Sequence, residues 1–405
     1  MEAVGGLWNY SDETGQHYAM YHDHRTNFPS LIMAFPEAPF PEHPLGSFLP
    51  RQAILAYLRR FAQARRLEPL IRFSSRVTSA EWQGQAWSVD YEENGQLRRL
   101  LADKLFICTG HFHEPYWPQE LDWHKFQGLL IHSKDYRRTE PFKGLKTLVI
   151  GAGPSGVDIG NQIAAANASN QVFLSYDCAR KQHREGIGFP ANLQLCDRVQ
   201  ELLPDGALLV DGTRVSCQAI VACTGYSYSV PFLKGVSLES GVWLGPLQRD
   251  IAHPEHPTSL FFVGLHRQVA QGYLISVQMH WILAKLAGKL RQGLSFLFYW
   301  LLQTSLHREP LESEEFELWH WPMPTSEEVK NCCALSRKPL KLGLRFRPYI
   351  RALEEEAGIA GSRKTPHAIF NIFEDVINCY DVMKLRKFRY ALDSSSKGFA
   401  KSWIG

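Results

Sequence analysis

Six residues, Gly151-Ala152-Gly153-Pro154-Ser155-Gly156, constrain this chain more than any other feature. They follow a stretch that reads as a short buried strand, Lys146 to Ile150 (KTLVI), and open a helical stretch that reaches about Ala166. Residues 171–176 (QVFLSY) then read as a second strand. Strand, glycine turn, helix and strand in that order form a β-α-β unit, and G-x-G-x-x-G in that setting points to a bound diphosphate. The first glycine permits the tight turn, the second lets the diphosphate approach the backbone, and the third lets helix and strand pack closely. The anion then sits at the helix N-terminus, facing free N–H groups and the positive end of the helix dipole. Strands alternating with helices make the fold class α/β.

The end of the second strand decides which dinucleotide suits the turn. An acid there accepts bonds from a free ribose 2′-hydroxyl. Here the strand ends at Ser175, and Arg180, Lys181 and Arg184 lie just beyond. A serine with nearby cations suits a 2′-phosphate, which Arg pairs with through charged hydrogen bonds. Asp177 is the contrary sign. The pattern favours NADPH, with Ser175 and Arg180 as candidate contacts.

The rest of the chain supports a soluble, two-domain protein of 405 residues. Residues 50–66 have helical spacing, and 72–79, 85–91 and 97–107 read as strands. A loop-rich connection over 111–145 follows. Further strands are expected at 207–210, 214–222 and 260–264, and a helix over 276–291. Lys plus Arg is 44 against 41 Asp plus Glu, a net +3 that gives no footing for nucleic acid. The eight cysteines include no C-x-x-C pair, which fits a reduced, cytoplasmic protein and argues against a dithiol reductase. The longest apolar run, Leu294 to Leu302, is shorter than the roughly 20 residues a spanning helix needs. His111 and His113 form an H-x-H pair without the further ligands a metal wants, so no metal site is expected. A homo-oligomer stays open.

Upstream of the glycine turn, Phe126, Gly128, His132 and Tyr136 match F-x-G-x-x-x-H-x-x-x-[YF]. This resembles the signature of flavin-containing monooxygenases, the family of dimethylaniline and senecionine N-oxygenases. Related Baeyer–Villiger enzymes carry Trp-Pro where this chain has Tyr136-Arg137. Val4-Gly5-Gly6-Leu7-Trp8 is similar to the family's VGGxW segment along the FAD. Thr26-Asn27-Phe28-Pro29 is similar to its T-N-x-P segment, whose Asn points at flavin and nicotinamide. Cys108-Thr109-Gly110 and Cys223-Thr224-Gly225 resemble its two A-T-G linkers between domains, with Cys in place of Ala. Val77 falls where a strand residue of the family meets the adenine.

The resemblance covers residues 4 to about 290 and implies two dinucleotide-binding domains. The expected division is 1–122 and 229–310 for FAD, 123–228 for NADPH, and 311–405 as a helical C-terminal extension. The implied site residues are Asn27 as the catalytic group, with Gly6, Leu7, Trp8, Asn27, Val77, Thr109, Gly110, Gly151, Gly153, Pro154, Ser155, Gly156, Ser175, Arg180, Thr224 and Gly225 around the cofactors. The implied activity uses NADPH and dioxygen to oxygenate an amine nitrogen or a thioether sulfur through a C4a-hydroperoxyflavin. The substrate would be a small molecule.

One departure matters. The family has two glycine turns, and the FAD turn precedes VGGxW by roughly 30 residues, the length of a β-α-β unit. This sequence has VGG at Val4 and no second G-x-G-x-x-G. The expectation is therefore a first domain without its N-terminal β-α-β unit, as in an N-terminally truncated member. Weak FAD binding follows. The alternatives are a catalytically impaired NADPH-binding relative and a Baeyer–Villiger-type monooxygenase.

Overall fold

The computed structural model describes residues 1–14, 19–41, 47–177, 189–241, 243–290, 346–360, 365–378, 388–392 and 399–403. A 3-10 turn at Gly6–Trp8 and a short helix α1 (Ser30–Met33) precede helix α2 (Arg51–Ala64). Pro50 stands at the start of α2, where a residue without an N–H costs little. Ile54, Tyr57 and Ala62 form its buried stripe.

Three antiparallel strands follow: β1 (Ser75–Trp82), β2 (Trp87–Glu93) and β3 (Gln96–Ala102). Asn94 and Gly95, both at positive φ, make the two-residue turn between β2 and β3. The long strand expected over 97–107 is in fact two. Asp103-Lys104 breaks it, and β4 (Leu105–Ile107) leaves the antiparallel sheet to pair in parallel with β16 (Leu260–Phe262).

The connection over 111–145 is less irregular than expected. It holds β5 (Glu114–Pro115) and β6 (Leu129–His132), the latter an edge strand of the main parallel sheet. That sheet also contains β7 (Thr147–Ile150), β8 (Val172–Ser175) and β9 (Leu193–Cys196), with helix α3 (Pro154–Ala166) crossing from β7 to β8. Strands β10 (Val199–Leu203), β11 (Gly206–Leu209) and β12 (Arg214–Ser216) form a small antiparallel sheet. The strand expected over 214–222 divides at Cys217-Gln218 into β12 and β13 (Ala219–Ala222). The parallel order is β6-β13-β7-β8-β9, so the chain reverses its winding between β7 and β13. Ligands of open α/β sheets lie at such a switch point, outside the carboxyl ends of the strands.

Period-2 alternation explains why β7 is buried throughout and apolar from Leu148 to Ile150. Val149 joins Ile159 and Ile163 under α3, whereas Leu148 and Ile150 meet Leu202, Leu209 and Val215 of the small sheet. A strand covered on both faces has no polar side.

Beyond β13 come β14 (Tyr226–Ser227), β15 (Leu233–Lys234) and helix α4 (Gln271–Leu286), which starts five residues before the expected 276. The described part of 311–405 contains helices α5 (Phe346–Glu356) and α6 (His367–Asn378). It also holds an antiparallel ribbon, β17 (Phe388–Leu392) with β18 (Phe399–Trp403), where only helix was expected. Trp281 of α4, Phe346 of α5, Phe370 and Phe373 of α6, and Phe261 of β16 share one core. Among the described residues no helix is long and apolar enough to cross a membrane, and the apolar run 294–302 lies outside them.

Candidate functional site

The glycine turn sits at the carboxyl end of β7. Gly151 has φ +98°, a conformation only glycine adopts freely, and its N–H donates to the Ser175 carbonyl at 3.1 Å. A Cβ on Gly151 would stand 2.6 Å from the Cys223 carbonyl oxygen, and one on Gly156 only 1.8 Å from the Gly151 oxygen. A Cβ on Gly153 would meet nothing within 4 Å. Two of the three glycines are thus closed in by the protein's own backbone, and the middle one opens outward. Gly153 caps α3 without any side-chain bond, Pro154 occupies the first turn, and no acidic residue lies there. The first-turn N–H groups ahead of Val157, whose own N–H donates to the Gly153 carbonyl at 3.0 Å, have no side-chain cap among the described residues. An uncapped helix start beside open space fits a diphosphate.

At the end of β8, Ser175 is buried and its hydroxyl donates to the Asp197 carbonyl at 2.9 Å. The structure thus gives this hydroxyl a backbone partner, while Asp177 is exposed. Arg180 lies outside the described residues.

The two linkers are joined to each other. Thr109 and Gly110 are exposed beyond the carboxyl end of β4. The chain then runs into β5, which pairs with β14 next to Thr224-Gly225. The Tyr116 N–H donates to the Gly225 carbonyl at 2.9 Å, and the Thr224 hydroxyl donates to the Tyr116 carbonyl. His111 follows the first linker, buried against Phe112 and Tyr228. Burial, with Arg267 and His266 adding, depresses its pKa to about 3. His113 instead bonds the Ser229 carbonyl at 3.2 Å.

His132 ends β6, beside Ala222 of β13. Its Nδ1 accepts from the Lys134 N–H at 3.1 Å, and its ring meets Tyr226 and Trp117. Burial lowers its pKa to about 4, so the imidazole is neutral at physiological pH. Tyr136 is fully buried and its hydroxyl donates to Gln162 Oε1 of α3 at 3.3 Å. Burial first, and the Asp158 carboxylate next, push its pKa far up. Both polar residues of the motif therefore stay uncharged and fasten β6 and its following turn to the dinucleotide unit.

Gly6, Leu7 and Trp8 form the 3-10 turn that packs on α2, where a Cβ on Gly5 would collide with Leu55. Asn27 is half-buried between two anchors. On one side Thr26 exchanges bonds with Leu49, at 2.9 Å and 3.0 Å; on the other Phe28 stacks on Phe373. Trp8 reaches the same loop through His24, ring centroids 5.8 Å apart. Val77 belongs to a different neighbourhood. It sits opposite Tyr91 at a bulge in β1, with its side chain 39% exposed.

Sequence reading passed over Tyr21 and Asp158. Asp158, on α3, is buried and accepts the phenolic hydrogen of Tyr21. The available signal was a charged residue between Val157 and Ile159 on a helix whose other buried side chains, Asn161 apart, are apolar.

The flavin-binding monooxygenase-like family model matches residues 1–205. Flavin-containing monooxygenase FMO GS-OX-like 2 of Arabidopsis thaliana is 30% identical over 313 residues, which are 71% of this chain and 67% of that protein. Among solved structures, S-allyl-L-cysteine S-oxygenase from Allium sativum has a TM-score of 0.75 at 23% identity, covering 93% of this chain and 84% of that one. Tmm from Pelagibacter sp. strain HTCC7211 has a TM-score of 0.76 at 21% identity, covering 99% and 87%. These two likenesses are of fold.

Proposed function

The chain belongs to the flavin-binding monooxygenase-like family, and from that premise we propose that it binds NADPH at residues 151–156 and serves an FAD-dependent oxygenation of a soft nucleophile. The observation that carries the reading is the open side of Gly153 at the uncapped start of α3. Backbone N–H groups of the first turn would hold the diphosphate, and the helix dipole favours its charge. The position of the turn, where the sheet reverses its winding, is where such a coenzyme lies in open α/β folds.

The residues on the flavin side have positioning roles in this reading. Bound flavin and NADPH supply the redox and oxygen chemistry, and the protein supplies orientation and dryness. Asn27, between the anchored Thr26 and Phe28, would present its amide to the flavin and nicotinamide. Thr109 and Gly110 are exposed in the first linker, and Gly110 and Gly225 stand at positive φ. Val77 contributes exposed apolar surface. Neutral His132 and Tyr136 add no charge of their own at the junction.

Amine nitrogens and thioether sulfurs are the proposed substrates, with Tyr136-Arg137 in place of Trp-Pro weighing against ketone oxygenation. A second reading is an NADPH-binding relative without oxygenase activity, since the diphosphate turn at 151–156 is complete by itself. Purified protein supplied with FAD, NADPH and oxygen separates the two. Oxygenation of a tertiary amine or thioether coupled to NADPH oxidation supports the first reading. Coenzyme binding without flavin-dependent oxidation supports the second, and conversion of a cyclic ketone alone points to Baeyer–Villiger chemistry.

A further inference from the structure

One buried carboxylate joins the N-terminal segment to the dinucleotide helix. Asp158 lies two residues past Gly156 and is 3% exposed. Its Oδ2 accepts the Tyr21 hydroxyl, lies 3.9 Å from His24 Nδ1, and lies 3.5 Å from Gln162 Nε2. Gln162 in turn accepts from Tyr136, whose ring meets that of Tyr21 edge-on at 5.4 Å. Tyr21 and His24 close a turn, with the His24 N–H donating to the Tyr21 carbonyl at 3.3 Å. The His24 ring then reaches Trp8, and Asn27 follows three residues later.

Helix packing alone does not call for this arrangement. Val157, Ile159 and Ile163 already seal α3 against the sheet. A carboxylate taken out of water is costly unless it is hydrogen-bonded. Here one of its bonds runs to a different part of the chain, Tyr21 and Asp158 being 137 positions apart in sequence. The helix that bears Asp158 is the one whose first turn faces the open side of Gly153.

We propose that Asp158 is a positioning residue that, through Tyr21 and His24, links docking of the nicotinamide coenzyme on α3 to the order of the loop carrying Asn27. The proposal rests on the reading that residues 151–156 hold NADPH. It assigns Asp158 no contact with the reacting atoms. A coenzyme that fixes α3 fixes the carboxylate, and the carboxylate fixes the turn at 21–24. By linkage, the effect is reciprocal between coenzyme affinity and loop order.

Other ties hold the same segment and keep the variants foldable. Arg137 donates through Nε and Nη2 to the Glu13 carbonyl, at 3.2 Å and 3.0 Å, and the Arg51 guanidinium lies 3.9 Å over the Tyr10 ring. Removing the Tyr21 hydroxyl leaves both in place.

The test uses the full 405-residue chain, as wild type, Tyr21→Phe and Asp158→Asn. NADP+ binding is titrated, and amide hydrogen exchange over residues 19–29 is followed with and without saturating NADP+. The proposal expects NADP+ to slow exchange there by at least about fivefold in the wild type, the low end of ordinary coupling. Tyr21→Phe keeps saturable NADP+ binding and loses that slowing, and Asp158→Asn does the same. A merely structural role would raise exchange equally with and without coenzyme, leaving the difference intact. Wild-type slowing in both variants, or no slowing in a wild type that binds NADP+, overturns the proposal alone. A wild type that does not bind NADP+ overturns the functional reading and this proposal with it.

Discussion

A Cβ on Gly156 would stand 1.8 Å from the carbonyl oxygen of Gly151, so helix and turn touch through backbone alone. Neither partner is a flexible side chain that can swing aside. Gly156→Ala is therefore expected to destabilise the fold by about 1–3 kcal/mol or more, the range for overpacking. Gly151→Ala adds a φ of +98° to a 2.6 Å approach to the Cys223 carbonyl. Urea unfolding midpoints check both, and an unchanged midpoint for Gly156→Ala contradicts the packing described.

The α5 helix is expected to be part of the core. Arg249 and Glu356 form an ion pair in which both side chains are less than one-tenth exposed, and Trp281 Nε1 donates to Glu356 Oε2 at 2.8 Å. Removing one member of a buried pair leaves an uncompensated charge and costs about 3–5 kcal/mol. Glu356→Gln takes away the carboxylate paired with the Arg249 guanidinium and is expected to lower the thermal midpoint sharply. Replacing both members by apolar residues recovers much of the loss. Equal midpoints for wild type and Glu356→Gln would remove α5 from the core.

Acid is expected to weaken the fold in a defined window. His132 and His111 are buried, with folded pKa values lowered to about 4 and about 3. An unfolded imidazole titrates near about 6.5. Between those values the unfolded chain binds more protons, so stability is full above pH ~6.5 and falls as pH drops toward 4. Every tenfold loss of proton affinity on folding corresponds to about 1.4 kcal/mol. Unfolding midpoints at a series of pH values measure the slope. His132→Asn is expected to flatten it, and an unchanged slope contradicts a neutral buried His132.

Much of the dinucleotide unit was legible because its signals are local. The β7 run, the three glycines and the start of α3 are close neighbours in the chain, and each glycine has a backbone reason visible in the sequence. Strand breaks were less legible. Asp103-Lys104 and Cys217-Gln218 each divide an apolar stretch whose pieces join different sheets, and composition does not say which sheet a residue joins. β6 and β9 were missed because LLIH and LQLC are only four residues long, too short to display a strand period. The Tyr21–Asp158 bond was invisible, since its partners are 137 positions apart and only tertiary structure brings them together. The helical spacing of α5 and α6 gave no clue that they complete the core around Trp281.

The central claim is that the open side of Gly153 receives the coenzyme's diphosphate. A Cβ there meets no protein atom within 4 Å, so Gly153→Ala is expected to fold as the wild type does. The same methyl would occupy the space the diphosphate needs. Calorimetric titration of NADP+ into wild type and Gly153→Ala, with unfolding midpoints measured alongside, is the direct measurement. The account expects saturable binding to the wild type and at least a tenfold weaker affinity in the variant, about 1.4 kcal/mol, at unchanged stability. No saturable binding to the wild type, or equal affinity in Gly153→Ala, contradicts it.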